Sequence, residues 1–220
     1  MAEIESLATE EPLARHVQRH RTDRLIMLSD GIFAIATTLA ALEIHLPEHP
    51  DSLAAMLAES GQSLVAYALS FLVTAVFWVA NRELFARVRR TDNILTAFAL
   101  GLLCGIAILP AAVHVFYQPG GLTVGFKFYC LVMVVCGLMN SAMWIYASAR
   151  RGVMRDEVTQ AERWRKALPT LIMPAVFFVC LFVDKRQMVW VIAPVALSIF
   201  VLRRVVAPRL APTKAVDSAA

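Results

Sequence analysis

The sequence has few charged residues, and they come in short runs. Charged side chains make up 17% of the 220 residues, against about 25% in soluble globular domains. Hydrophobic residues make up 59%, and the mean hydropathy is +0.63. The length would permit one or two soluble domains, but the apolar residues form long blocks separated by the charged runs. This distribution excludes soluble domains and predicts an all-α, polytopic membrane protein.

Several kinds of functional site have no counterpart in the sequence. The four cysteines, Cys104, Cys130, Cys136 and Cys180, form no C-x-x-C pair, which argues against zinc and redox sites. There is no H-E-x-x-H, G-x-S-x-G or P-loop pattern, and no motif of a nucleic-acid module. No apolar block carries the row of arginines that a voltage sensor needs. We therefore predict no enzyme activity, no cofactor, no metal and no nucleic-acid partner.

The N-terminal residues lack the pattern of a cleaved signal peptide. Residues 1–24 contain five acidic residues among their bases, and an apolar run follows only later. The first apolar helix is therefore expected to be retained and to act as its own insertion signal.

Apolar blocks of membrane-spanning length dominate the rest of the chain. A hydrocarbon core of about 30 Å needs roughly 20 residues of helix. Candidate spans lie at 25–46, 63–86, 94–117, 124–148, 168–183 and 188–202. The last two are short, and we interpret them as a tight hairpin of two spans, with a re-entrant pair as the alternative. Ser52 is predicted to begin a short N-capped helix on the outer surface, between the first two spans.

The basic residues predict the orientation of these spans. Arginines and lysines cluster before the first span, between the second and third, between the fourth and fifth, and after the last. Because cytoplasmic loops are rich in Lys and Arg, both termini are expected inside. This divides the chain into a cytoplasmic segment at 1–24, a six-helix transmembrane domain at 25–206 and a cytoplasmic, disordered tail at 207–220.

The first span carries an acidic residue at membrane depth. Asp30 lies about a turn and a half inside the span, where an ionisable group is costly unless it is paired or hydrated. Its candidate partners are Arg24, Ser29 and backbone groups of neighbouring helices. The alternative is that Asp30 caps the helix near the headgroups.

The same span carries a stripe of branched apolar residues. Ile35, Leu39, Leu42 and Leu46 follow the spacing i, i+4, i+7 and i+11, which is one helical face. Thr38 borders the stripe and offers a hydroxyl group. From the residues alone, such a stripe faces lipid or a protein core far more often than a pore.

The first span also resembles the signature of a known family. Residues 24–39 read Arg-x-x-x-Leu-Ser-Asp-Gly-x-Phe-Ala-Ile-Ala-x-Thr-Leu. This is similar to the first-helix signature of the bacterial transmembrane protein 175 potassium channels, which reads Arg, three residues, then Phe-Ser-Asp. Weaker similarity continues at Phe77-Trp78 in the second span. Leu28 replaces the usual Phe, and Asn81 stands near an expected His.

The resemblance implies a potassium-permeable channel in a bacterial plasma membrane, built as a homotetramer of six-helix subunits. It implies that the first helix of each subunit lines a central pore, with an apolar constriction formed by Ile35, Leu39 and Leu42. A hydroxyl layer near Thr38 would contribute to potassium preference. The signature residues that would hold the cytoplasmic end of this helix are Arg24, Ser29 and Asp30.

Two other classes of protein compete with the channel hypothesis. A secondary transporter would use Asp30 or Glu43 as a proton-linked carboxylate, and it would favour inverted repeats with broken helices, which the sequence lacks. A membrane enzyme would need a polar cluster at mid-membrane depth. The tetrad Thr-Val-Gly-Phe at 123–126 resembles an ordinary potassium filter, but Lys127 replaces the final Gly and no pore helix precedes it, so we interpret this match as chance.

Overall fold

A computed structural model describes residues 2–42, 44–117 and 122–182. These residues form six α-helices, and the all-α prediction is confirmed. The helices are α1 Ala2–Leu42, α2 Leu53–Arg87, α3 Asn93–Tyr117, α4 Leu122–Ala149, α5 Gln160–Ala167 and α6 Ile172–Cys180, with a 3-10 helix at Leu168–Leu171 between the last two.

Four of these helices are long and apolar enough to cross a membrane. Their candidate spans are His20–Leu42, Ser63–Arg87, Asn93–Val115 and Thr123–Ala149. Each has at least 23 residues, and a rise of about 1.5 Å per residue makes each longer than the hydrocarbon core. They agree with the first four predicted spans, and the chain is a multi-pass membrane protein.

The predicted hairpin of two further spans is only partly described. Within 168–182, the 3-10 helix of 4 residues is followed by α6 with 9 residues, each shorter than the roughly 20 residues that a span needs. The second half of the hairpin, at 188–202, and the tail at 207–220 lie outside the described residues. The number of spans in the subunit therefore stays a prediction.

Two predicted boundaries in the first half of the chain are wrong. Helix α1 ends at Leu42 rather than at residue 46, and Pro47 disfavours helical conformation at Leu46. Ser52 is an N-cap, as predicted, and its hydroxyl oxygen accepts the Ala55 N–H at 3.1 Å. However, the helix that it begins is α2 itself, 35 residues long, because no proline interrupts residues 53–87.

Helix α3 packs most extensively against α4, and it also packs against α1. Glycines on α3 permit the close approach to α4. A Cβ atom on Gly105 would lie 2.5 Å from Cys136 Sγ, and one on Gly101 would lie 2.9 Å from Met139 Sδ. Small residues are the usual means by which membrane helices come close together. The Gly101-x-x-x-Gly105 pair therefore serves a helix contact within the subunit.

Helix α4 contacts α6 at a third glycine, and this contact should tolerate a larger residue less well than the contact at Gly101 does. A Cβ atom on Gly137 would lie 2.8 Å from Pro174 Cδ and 3.0 Å from Pro174 N. We expect Gly137→Ala to lower the thermal unfolding midpoint, at an overpacking cost of about 1–3 kcal/mol, because neither the proline ring nor the backbone can move alone. The matched control is Gly101→Ala, which meets the flexible end of Met139 and should cost less. Equal shifts in detergent would contradict this account.

Candidate functional site

Helix α1 is buried along one face. Leu25, Ser29, Phe33, Ala36 and Ala40 are each at most 6% exposed, and their spacing of four, four, three and four residues places them on one side of the helix. This side packs against α2 and α3. The small residues Ser29, Ala36 and Ala40 keep the helices close, so α1 is held by its own subunit from Leu25 to Ala40.

The predicted constriction residues lie on the uncovered side of α1. Ile35, Leu39 and Leu42 are 59%, 45% and 79% exposed in the single chain. Leu46, the fourth member of the predicted stripe, lies beyond the end of the helix. An exposed apolar face on a membrane helix contacts lipid, another subunit or a pore. The chain shows that the three residues share such a face, and their role in a constriction stays a prediction.

Thr38 lies on the same uncovered side. Its hydroxyl is 2.9 Å from the Ile35 carbonyl oxygen and 3.1 Å from the Ala34 carbonyl oxygen, to which it donates. Because the hydroxyl hydrogen is used within the helix, the oxygen keeps its acceptor capacity for a partner outside it. This arrangement suits the contact of a hydroxyl oxygen with a cation.

Asp30 bonds to a side chain of the neighbouring helix α2, which was not among the side-chain partners named from the sequence. The Asp30 Oδ1 atom accepts a hydrogen bond from Trp78 Nε1 of α2 at 2.8 Å. The guanidinium carbon of Arg82, one turn further along α2, lies 5.2 Å from the centre of the Trp78 ring. Asp30 lies well inside α1, so the capping alternative is wrong.

The other two signature residues do not join this contact. The Ser29 hydroxyl donates to the Leu25 carbonyl oxygen at 2.8 Å within its own helix, and the side chain is fully buried. Arg24 is exposed. The Phe77-Trp78 pair was visible in the sequence as part of the family resemblance, but its pairing with Asp30 depends on how α1 and α2 face each other.

An open groove of about 320 Å³ runs beside the Asp30–Trp78 contact, between α1 and α2. Ala34 and Thr37 of α1 and Phe71 of α2 are among the residues that line it. The groove adjoins the uncovered side of α1. It is therefore a surface on which lipid or a second subunit can pack.

Residues 87–92 and 150–166 lie together at one end of the bundle, called here the basic end. A buried ion pair joins two helices there. Lys166 Nζ of α5 is 3.1 Å from Glu83 Oε1 of α2, and Lys166 is 7% exposed. Arg87 also bonds Glu83, and its Nε lies 3.9 Å from Glu162 Oε1. In the sequence these bases predicted only topology, because nothing local indicates a pair 83 residues apart.

A second charged group, Asp92, joins the start of α3 to the end of α4. It accepts hydrogen bonds from the Tyr146 hydroxyl and from the Leu95 N–H, and Arg150 Nε lies 3.5 Å away. Burial raises the pKa of the Asp92 carboxyl, but these donors and the nearby arginines outweigh burial and hold the pKa below its usual value. Asp92 therefore stays a carboxylate and a fixed counter-ion at neutral pH.

The sequence of the chain matches a known protein family. Residues 24–110 match the model of the family described as the endosomal/lysosomal potassium channel TMEM175, and this match begins at the signature arginine. A potassium channel of Streptomyces collinus is 33% identical over 166 residues, which are 70% of this chain and 80% of that protein. A potassium channel of Chamaesiphon minutus is 38% identical over 80 residues, which are 34% of this chain and 39% of that protein.

Animal relatives are longer. The endosomal/lysosomal proton channel TMEM175 of Bos taurus is 27% identical over 164 residues, which are 68% of this chain but 33% of that protein. The present chain thus spans about a third of the length of the bovine protein.

The fold agrees with a solved structure. The crystal structure of a lysosomal potassium-selective channel TMEM175 homolog from Chamaesiphon minutus superposes with a TM-score of 0.67 at 24% identity. The match covers 84% of this chain and 98% of the other, and it supports the fold alone. Because the Streptomyces relative is similar over four-fifths of its own length and the family match contains the first-helix signature, the chain belongs to the TMEM175 family of potassium channels.

Proposed function

We propose that this chain is the subunit of a homotetrameric potassium channel in a bacterial plasma membrane, with α1 of each subunit lining the central pore. The observation that carries the proposal is the uncovered side of α1, on which Ile35, Thr38, Leu39 and Leu42 lie opposite the face buried in the subunit. Membership of a potassium channel family makes a pore the favoured occupant of this side.

The constriction would act through water. Four copies of a branched apolar side chain at one level form a ring that loses its water when it is narrow, and a dry ring blocks ions. A small outward movement of the four helices would let partly hydrated potassium pass. Thr38 lies about 4.5 Å along the axis from Ile35, so its hydroxyl oxygens would contact the ion next to the ring.

The six-span subunit and its orientation complete the proposal. The four described spans and the hairpin at 168–202 would make six, with both termini and the basic end in the cytoplasm. Cysteines introduced at Glu48 and Arg151, both exposed, should react with membrane-impermeant reagents from opposite sides. Within the 150–166 connection we choose the exposed Arg151, because Lys166 is buried in the ion pair and would not be accessible to the reagent.

Flux measurements test the proposed function directly. In liposomes containing the purified protein, we expect potassium to move faster than sodium, at channel rates and without a proton gradient. Flux that requires a proton gradient would support the transporter alternative instead. Of the two carboxylates that such a transporter would use, Asp30 is bonded to Trp78, and Glu43 lies outside the described residues.

We further propose that Asp30 is structural. Asp30→Asn should lower the yield of tetramers more than it changes ion selectivity, because a charge-assisted hydrogen bond to the indole is roughly twice as strong as a neutral one. Trp78→Phe, which removes the donor but keeps an aromatic ring, should have the same effect. Native mass spectrometry measures the tetramer fraction, and normal assembly with altered selectivity would show that Asp30 acts on the ion.

A further inference from the structure

We propose that the turn between α2 and α3, residues 88–92, positions the pore helix α1, and that residues 150–156, the clasp loop, lock this turn in place. The inference rests on the proposed function, because it concerns how the helix that lines the pore is held. It assigns a role in permeation to residues far from the constriction.

The turn contacts α1 directly. The side-chain oxygen atoms of Thr91 and Thr22 lie 3.1 Å apart, and Thr91 is buried at 5% exposure. Thr22 lies 13 residues before Ile35 on one continuous helix without an intervening proline, a distance of about 20 Å along the axis. A shift or tilt at Thr22 is therefore carried to the level of the constriction.

The clasp loop holds the turn through its backbone. The Arg89 N–H donates to the Val153 carbonyl oxygen at 2.7 Å, and the Arg155 N–H donates to the Arg87 carbonyl oxygen at 2.9 Å. Between these bonds the two segments pair as a short antiparallel bridge at Met154. Val153 and Met154 are fully buried, so the loop is packed as well as bonded. This pairing is the one β contact within residues 2–42, 44–117 and 122–182.

The other side of the turn is tied to α4. Asp92 accepts from the Tyr146 hydroxyl and faces Arg150, the residue with which the clasp loop begins. The turn is thus held by α4 and by the clasp loop while its buried threonine reaches α1. In a fourfold pore the radius of the apolar ring depends on the tilt of α1. The position of Thr91 against Thr22 therefore affects which ions pass.

A single backbone N–H provides the test. Arg155→Pro deletes the donor to the Arg87 carbonyl, whereas the matched control Arg155→Ala removes the same side chain and keeps the donor. Met154 before it is already in an extended bridge, which suits a residue that precedes proline. Relative to Arg155→Ala, we expect Arg155→Pro to lower the potassium-to-sodium permeability ratio by up to about fivefold, the factor that one net hydrogen bond corresponds to, with the tetramer fraction unchanged.

A second variant ties the effect to α1. Thr22→Val should lower the potassium-to-sodium permeability ratio, and Thr22→Ser should not, because serine keeps the hydroxyl. If Arg155→Pro fails to fold, this pair of variants tests whether the turn positions α1. In the double variant, the effects of Thr22→Val and Arg155→Pro should be less than additive, since both act through Thr91. Additive effects, or equal ratios for the proline and alanine variants, would overturn the positioning role. Absence of potassium conduction in the wild type and in Arg155→Ala would instead refute the proposed channel.

Discussion

Ile35→Asn should increase ion conduction and reduce the preference for potassium over sodium. If Ile35 forms the narrowest ring of a fourfold pore, the substitution places four amides in the constriction. Water then enters, and the dehydration barrier that excludes sodium falls. We expect the potassium-to-sodium permeability ratio to fall roughly tenfold, which corresponds to about 1.4 kcal/mol. Reversal potentials and single-channel conductance in bilayers with asymmetric potassium and sodium measure this change.

The same substitution separates a pore from a lipid-facing helix. If Ile35 faced hydrocarbon, the amide would lose water without gaining a partner, at a cost of several kcal/mol, and conduction would not improve. Leu131→Asn on α4 is a suitable control, because Leu131 is 50% exposed in the single chain and its helix is not proposed to line the pore. If intact Ile35→Asn tetramers conduct ions as the wild type does, α1 does not line the pore.

Glu83→Gln should destabilise the subunit more than any other single charge removal at the basic end. It leaves the Lys166 ammonium, with a side chain only 9% exposed, without its carboxylate. Loss of one partner from a buried ion pair costs about 3–5 kcal/mol. Lys166→Met should cost less, because Arg87 still neutralises Glu83. Unfolding midpoints and the monodisperse yield in detergent compare the two variants.

The double variant shows whether this loss comes from the isolated charge. Glu83→Gln combined with Lys166→Met removes both members of the pair, and we expect it to recover most of the stability that Glu83→Gln loses. The exposed pair Arg89–Asp156, whose side chains are 65% and 81% exposed, is the control, and Asp156→Asn should change stability by less than about 1 kcal/mol. If the double variant is as unstable as Glu83→Gln, the stability is lost through altered packing and not through the isolated charge of Lys166.

The boundaries that failed show where hydropathy stops being informative. The block from residue 25 to residue 46 ends in the mixed run Glu43-Ile44-His45-Leu46, so its hydropathy does not mark a sharp end. Helix α1 stops at Leu42, and Pro47 disfavours helical conformation at Leu46 through the backbone rather than through hydropathy. Ser52 was recognised as a cap, but it was expected to begin a short helix separate from the span at 63–86, whereas one helix continues from Leu53 to Arg87. Gly61 alone costs only about 1 kcal/mol inside a helix, which is too little to end a helix of 35 residues.

By itself the sequence determined the helical class, the first four spans and the face on which Ile35, Leu39 and Leu42 lie. These follow from transfer free energies and helical periodicity, which are properties of each residue and its near neighbours. Only the tertiary structure decided which partner each buried or bonded carboxylate meets. Asp30 and Trp78 are 48 residues apart, Asp92 and Tyr146 are 54 apart, and Glu83 and Lys166 are 83 apart. Such pairs depend on the rotation and crossing of packed helices, because a side chain turned by a hundred degrees faces a different neighbour.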